Sequence, residues 1–517
     1  MPSCANDWLL GTLLRGEWQF DGYVTSDCDA VADIYNQHHY TDTPEETVRD
    51  SLRAGTDVDC GGFVTEYAPS ALNKSVITED DIDTALKRLF RVRLRLGFFD
   101  GPTPLDKIGL ESICSDEGGE TARDGARQSV VLAKNVNGFL PFDASKIKKG
   151  LIVGPLINLT NTITYYGSVP CPGQMAVPAD ALLQHVPSAT AIPGVPSVTS
   201  TDTSGIPAAA AAAAAADFII LSIGSDGTLE HEAHDRLVTN FSVAQLFLIG
   251  NITAAATVPV VAMVQSGGAM DVSPLLANPK IAAILICGQP SVQIVGAGDV
   301  IFGKTLDGLP VAPAARMSQM TYPAEYVDQV SMFDFGMRPG PSAWPPGTNP
   351  GRTYRFYTGT PVLPFGFGLS YTTWMYTPLP DPKPPTLASL EAAAQAHAAT
   401  GILGHIPASL QSTAAQFWVN VTNSGTVDSD DVVLGFLVPP GAGVDGVPLQ
   451  ELFGFERVFV PAGQTVTVYL GAQGVRFTQA GTDGVRRALG GEYKVRFGVR
   501  ETAAHGMGFA ELSLVVA

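Results

Sequence analysis

The sequence has six cysteines in 517 residues but no CxxC pair, and this removes the usual zinc and thiol-redox signatures. It lacks any uninterrupted apolar run of about 18 residues, the length a membrane-spanning helix needs. The N-terminus lacks the charged-then-apolar pattern of a secretory leader. Basic residues are few, 31 against 50 acidic ones, for a net charge of −19. Nucleic-acid binding is excluded on that ground, because displacing counterions from phosphates needs a basic stripe. An uncharged ligand is compatible with such a surface.

Apolar material is plentiful: 45% of residues are hydrophobic, enough for ordinary cores, in a length that predicts about three domains. Near the start, in GYVTSDCDAV, Tyr23-Val24-Thr25 is β-prone, follows the turn pair Asp21-Gly22 and precedes a helix start at Ala30. Asp27 is thereby left at the end of a buried strand, where α/β barrels hold catalytic groups. The alternative is a plain cap for the helix. AGTDVD reads as a second strand, ending at Asp59. Cys28 and Cys60 each directly follow an Asp at such a strand end, and adjacent parallel strands lie about 4.8 Å apart, so a Cys28–Cys60 disulfide is predicted. Cys287, in IAAILIC, is predicted to be a free buried thiol.

Thr78 opens a helix with Glu79, Asp80 and Asp81 in its first turn and Arg91, Arg93 and Arg95 near its end, matching the helix dipole before Gly97 stops it. Ile82, Leu86, Leu89 and Phe90 give it an apolar face. From Ile147, GLIVG, FIILSIG, VPVVAMVQ and IAAILICG alternate with helical stretches, the pattern of a βα-layered sheet. The alanine run 208–216 reads as a covering helix. Residues 336–357 are a Pro/Gly-rich surface excursion, TPLPDPKPP (377–385) is a stiff linker, and 387–399 reads as a short helix. FWVNVTNSG, VVLGFLVP, TVTVYLG and EYKVRFGVR then predict a β-sandwich. Five N-x-[ST] sequons, at Asn73, Asn158, Asn240, Asn251 and Asn420, point to a secretory route.

MPSCANDWLLGTLLRGEWQFDGYVTSDCDAV, SLRAGTDVDCGG, RLGFFD, VVLAKN, GSDGTLEHEAHDR, VQSGGAMDVSPL, GRTYRFYTGTPVLPFGFGLSYTTW and ELFGFERVFVPAGQ occur in this order over nearly the whole chain. Together they resemble glycoside hydrolase family 3, in particular its fungal and plant β-xylosidase branch. The resemblance implies an α/β and β architecture: a partial (β/α)₈ barrel remnant over 1–100, a linker with one helix over 101–145, an α/β sandwich domain over 146–376 and a fibronectin type III-like domain over 387–517. A complete barrel needs roughly 250 residues, so most of it is expected to be missing. Either Met1 is an internal methionine with the leader lost upstream, or the chain descends from a relative that shed its barrel. Two strands alone are expected to keep unpaired edges.

By the same resemblance Asp27 is the catalytic nucleophile, and the acid/base comes from the loop after FIILSIG, where Glu230 and Glu232 stand one residue apart. Retaining hydrolysis needs two such carboxyl groups, about 5–5.5 Å apart. Glu230 is placed first; the other glutamate is expected to be ion-paired with Arg236 or His234. The family continues after Asp-Arg with a Leu-Pro-Gly run, whereas LVTNFSVAQ stands here, which leaves the next helix start open. The implied protein is a secreted retaining exo-β-glycosidase, foremost a β-xylosidase releasing terminal xylose from xylo-oligosaccharides by double displacement. Its partner is the glycoside substrate; no cofactor, metal, nucleic acid or membrane is implied. Without the earlier barrel strands the chain alone is expected to show little activity. The rival readings are a non-catalytic glycan- or partner-binding remnant, and a β-glucosidase or α-L-arabinofuranosidase on the same scaffold.

Three further patterns are read as structural. GDVIFGKT (298–305) satisfies G-x-x-x-x-G-K-[ST], but Val300, Ile301 and Phe302 suit a buried helix and Leu306-Asp307-Gly308-Leu309-Pro310 breaks any helix after Thr305. In HEAH, His231 and His234 are three apart, whereas a zincin needs four on a helix. His38-His39 has no ligands at metal spacing.

Overall fold

Local capping chemistry sets the helices of the first hundred residues. In the computed structural model, which describes all residues except 161–174, 233, 290–292, 344–345, 381–382, 399–407 and 482–484, these are α1 (Ala30–Asn36), α2 (Pro44–Ala54), α3 (Phe63–Asn73) and α4 (Glu79–Arg95). A Thr43/Glu46 capping box and Pro44 start α2, and Gly55 ends it at φ 119°. Thr78 and Asp81 form the box that starts α4, with acids in its first turn and Arg93 and Arg95 in its last, as predicted.

These helices lie in one compact unit, Met1–Gly109 with Gln395–Pro407; the remainder, Leu110–Ala394 with Ala408–Ala517, forms a second. The core of the first unit is small, built on Val31, Val48, Phe63, Ala71 and Ile77. The two predicted strands are reduced to one parallel bridge, Thr25↔Val58, because a parallel pair without further strands beside it gains too little to extend. Asp57 fastens the segment instead. Its buried carboxylate accepts from Arg15 (2.5 Å), Arg88 (2.9 Å) and the Val24 amide (2.8 Å). Of the apolar face expected on α4, Ile82 packs on this core and Leu89 is half-buried, whereas Leu86 and Phe90 are 43% and 40% exposed.

The predicted Cys28–Cys60 disulfide is present, with Cα atoms 4.3 Å apart. Cys4 and Cys287 are free, and burial pushes the Cys287 thiol up to about 12. Cys114 is also disulfide-bonded. Because the 28–60 bridge closes a long loop around a small core, Cys60→Ser should cost about 3 kcal/mol. Limited proteolysis followed by mass spectrometry should show residues 1–109 cleaved first; an unchanged cleavage pattern would contradict this.

In the second unit α5 (Asp116–Ser129) leads into β1 (Val131–Asn135), followed by β2 (Gly150–Val153), β3 (Thr190–Ile192), β4 (Phe218–Gly224), β5 (Val260–Gln265) and β6 (Ile281–Gly288). They form one sheet in the order β1-β6-β5-β4-β2-β3, parallel except for β1. Every residue of β2, β4 and β5 is buried, as in parallel sheets covered on both faces. The alanine-rich helix Ile206–Ala215 and the helix Val243–Ala255 supply Ala209, Ala213, Leu248 and Ile252 to the core. The phosphate-loop pattern falls on the helix Gly296–Phe302, wholly buried and closed by Gly303. Its Asp299 is held by Arg123 (2.7 Å), Arg127 (3.1 Å) and His185 (3.0 Å), an ion cluster that pins core helices together.

After a hairpin, β7 (Gly340–Ala343) and β8 (Pro346–Asn349), seven strands make two antiparallel sheets. One has the order β13-β10-β9, from β9 (Trp374–Pro378), β10 (Thr413–Asn423) and β13 (Thr465–Gln473). The other has the order β12-β11-β16-β17, from β11 (Ser429–Val438), β12 (Glu451–Val460), β16 (Gly491–Phe497) and β17 (Ala510–Val516), with β14 (Thr478–Ala480) and β15 (Arg486–Ala488) forming a small ribbon between. The start of the β-rich part lies earlier than the expected 387, since Trp374–Pro378 pairs with Val419–Asn423. The proline-rich run beside it concealed a short edge strand, where proline is tolerated at the end. Within this unit the architecture is mixed α/β with a continuous core through both parts. The buried Asp431 links them, accepting from Arg316 and from the Tyr376 hydroxyl (2.6 Å).

Candidate active site

Gly224 ends β4 at φ 142°, and a Cβ there would meet the Gln265 carbonyl oxygen at 1.7 Å, so only glycine lets β4 and β5 approach this closely before the chain turns out of the sheet. Gln245, fully buried, clamps the turn: its Oε1 accepts from Gly224 N (2.9 Å) and its Nε2 donates to Gly224 O (3.0 Å). Gln245→Leu would leave both backbone groups buried without partners and should cost about 2–4 kcal/mol, read as a lower urea midpoint with unchanged slope.

The loop that follows is held by Asp226, which accepts from Thr228 N (2.9 Å), and is closed at its far end by mutual backbone hydrogen bonds between His231 and His234 (3.1 and 3.0 Å). The two imidazoles stack at 5.0 Å rather than converging on a metal. The helix whose start was left open begins at Val243, capped by Ser242.

The two glutamates of this loop have different surroundings. Glu230 is turned inward: Oε1 accepts from Ser225 Oγ (2.5 Å), Gly267 N (3.0 Å) and Gly268 N (3.2 Å), and Oε2 pairs with Arg236 Nε (3.0 Å). Burial raises its pKa, but the Ser225 hydroxyl, the Arg236 charge and the two glycine amides outweigh that and hold it below the ordinary 4.5. Glu232 is exposed, at the tip between the paired histidines. Arg236 therefore takes Glu230, the residue placed first from sequence.

Asp27 stands at the end of the Thr25 bridge, exposed, its Oδ1 accepting from Cys28 N (2.8 Å). It does not cap α1, whose N-cap position is Asp29 without a side-chain bond. The backbone around it is tightly registered: Ser26 N donates to Val58 O (2.9 Å), Cys60 N to Ser26 Oγ (2.9 Å) and Asp29 N to Cys60 O (2.7 Å). Asp59 lies alongside, its Oδ2 accepting from Val64 N (2.9 Å) and its Oδ1 buried without a partner. Burial, and then the charges of Asp59 and Asp27, push the Cys4 thiol up. An acidic, disulfide-locked turn of this kind presents one carboxylate in a fixed direction.

Residues 1–92 match the glycosyl hydrolase family 3 N terminal domain and residues 130–371 the family's C-terminal domain. The chain belongs to glycoside hydrolase family 3. It is 33% identical to beta-D-xylosidase 1 of Arabidopsis thaliana, covering 96% of this chain and 64% of that protein. It is 35% identical to exo-1,4-beta-xylosidase bxlB of Emericella nidulans (97% and 63%) and 35% identical to beta-xylosidase/alpha-L-arabinofuranosidase 2 of Medicago sativa subsp. varia (89% and 58%). Among solved structures it resembles a GH3 exo-beta-xylosidase (XlnD) in complex with a xylobiose aziridine activity-based probe, with a TM-score of 0.83 and 30% identity over 100% of this chain and 64% of that one. The fold is shared with a beta-glucosidase from Listeria innocua at a TM-score of 0.78 and 21% identity, covering 100% of this chain and 66% of that one. This family 3 chain thus spans 58–64% of the length of its curated relatives named above.

Sequence reasoning missed Ser225, Gln245 and the Gly267-Gly268 amides as the frame of the glutamate loop. VQSGGAM was visible as a motif, but its function as a pair of amide donors depends on β5 lying beside β4.

Proposed function

We propose that this chain carries both catalytic carboxylates of a retaining exo-β-glycosidase acting on terminal β-xylosyl residues. Support comes first from the 0.83 TM-score and 30% identity to an exo-beta-xylosidase along the whole chain. Asp27 attacks the anomeric carbon and forms a glycosyl-enzyme, while the second carboxyl protonates the leaving oxygen and then activates water. We assign that second role to Glu232. An acid must hold its proton at working pH, and Glu230 is kept ionised by Arg236 and three donors, whereas Glu232 stands exposed and is held by none of them.

The first unit is read as part of a (β/α)₈ barrel, on the parallel Thr25↔Val58 bridge and the helices α1–α4 around it. The seven-stranded pair of sheets is read as fibronectin type III-like. The sequons and the disulfides support a secreted glycoprotein. The name of the Medicago relative adds α-L-arabinofuranosides as second substrates. A panel of aryl glycosides tests this. A chain extended upstream to the relatives' length should cleave the β-xyloside fastest, with the α-arabinofuranoside second, and the 517-residue chain should show little activity. Equal activity of the two chains, or a preference for the β-glucoside, would contradict it.

A further inference from the structure

A cavity of about 380 Å³ opens in the second unit, and none of the residues lining it belongs to the glutamate loop. That volume is within the range of small-ligand sites, about 300–1,000 Å³. One wall is aromatic. Tyr354 and Phe365 stack at 4.4 Å, and both meet the buried Phe436 edge-on, at 5.9 and 6.1 Å, so neither ring is free to tilt. The Tyr354 hydroxyl accepts from Leu452 N (3.4 Å) and keeps its own proton to donate.

The rest of the lining includes charged and polar groups. Arg496 donates to Glu511 (2.7 Å) and to Gln450 Oε1 (3.3 Å); Arg500 donates to the same Glu511 oxygen (3.1 Å) and lies over the Phe509 ring at 5.2 Å. The shared carboxylate leaves each guanidinium with further N–H groups to offer. Glu501, exposed at the rim, makes no hydrogen bond or ion pair among the described residues. The backbone behind is fixed: a Cβ on Gly498 would meet the Gly508 carbonyl oxygen at 2.2 Å, and one on Gly366 would meet Leu434 at 2.4 Å.

Two arginines and two glutamates balance, so the cavity does not select for an anion. The outer face of a stacked aromatic pair, in a cavity with clustered donors and one free acceptor, suits a ring that is apolar on one side and carries vicinal hydroxyls at its edge. The geometry points to a second, non-catalytic glycan site here, taking one or two pyranose units of a neutral oligosaccharide, with Glu501 and Arg500 as its hydroxyl readers and Tyr354 and Phe365 as its platform. The assignment stands apart from the roles given to Asp27 and Glu232, because it is read by binding alone.

Calorimetric titration of the 517-residue chain with xylotriose, cellotriose and sodium sulfate tests it. One sugar-binding event is expected, retained in Asp27→Asn and weakened about tenfold in Glu501→Gln. Glu501→Gln changes one exposed oxygen and should leave the melting temperature unchanged, so a loss cannot be laid to misfolding. Arg500→Ala with Phe509→Ala should weaken binding further. The inference is overturned if neither sugar binds, if sulfate is preferred to both, or if binding is lost in Asp27→Asn and kept in Glu501→Gln.

Discussion

Asp27→Ala, made in a chain extended upstream to the relatives' length, should lower turnover of a dinitrophenyl β-xyloside by a factor on the order of 10⁴ or more, and any turnover that azide restores should release the inverted α-xylosyl azide. The carboxylate forms the covalent bond, so neither a better leaving group nor an added nucleophile substitutes for it while keeping retention. Its position explains why a small change should be so costly. The turn is fixed by the Ser26 and Cys60 hydrogen bonds and the adjoining disulfide, which holds the Asp27 backbone in one place. Asp59 is the nearest in sequence on the adjoining segment, and one of its oxygens already holds the start of α3. Residual activity of Asp27→Ala near the parent level would show that the attack comes from elsewhere.

The second large effect separates the glutamates. Glu232→Ala should lose about 10²–10⁴ in rate on substrates with poor leaving groups and much less in the first step on the dinitrophenyl xyloside, where departure needs little protonation. The glycosyl-enzyme should then accumulate, and azide should accelerate its breakdown. Glu230→Ala should behave differently, as a loss of stability of about 2–4 kcal/mol from leaving Arg236 without its carboxylate, with no rescue by azide. The sign of its pH dependence follows from the lowered pKa. The ion pair contributes fully above the ordinary value of 4.5, and the contribution is lost as pH falls through the lower folded-state value. Denaturation midpoints of Glu230→Gln and the parent should therefore differ at pH 7 and converge in acid. Azide rescue of Glu230→Ala but not Glu232→Ala would reverse the assignment.

How far the sequence carried this account depends on the range of the interactions involved. Caps, breakers and alternation are local, so α4, the alanine-rich helix and the buried strand FIILSIG were legible. The Cys28–Cys60 pair was legible because equivalent strand ends repeat the same Asp-Cys step. Strand pairing is not local. The β-prone run at Tyr23–Thr25 reads as a strand, yet it extends only as far as its neighbours allow, and here that is one bridge. β9 was hidden because five residues before a proline-rich run carry too few alternations to register. The inward turn of Glu230 and the exposure of Glu232 were not legible. That inward turn depends on Ser225 and the Gly267-Gly268 amides, which reach the loop only because β4 and β5 are parallel neighbours.

Trapping the glycosyl-enzyme tests the central claim most directly. The extended chain is treated with dinitrophenyl 2-deoxy-2-fluoro-β-xyloside, from which dinitrophenolate leaves as the anomeric carbon bonds to the nucleophile, and the labelled peptide is sequenced by tandem mass spectrometry. The account predicts a single ester on Asp27, within the peptide containing Val24-Thr25-Ser26-Asp27. A label on any other carboxylate, or steady hydrolysis of the parent xyloside with no ester trapped, would contradict it.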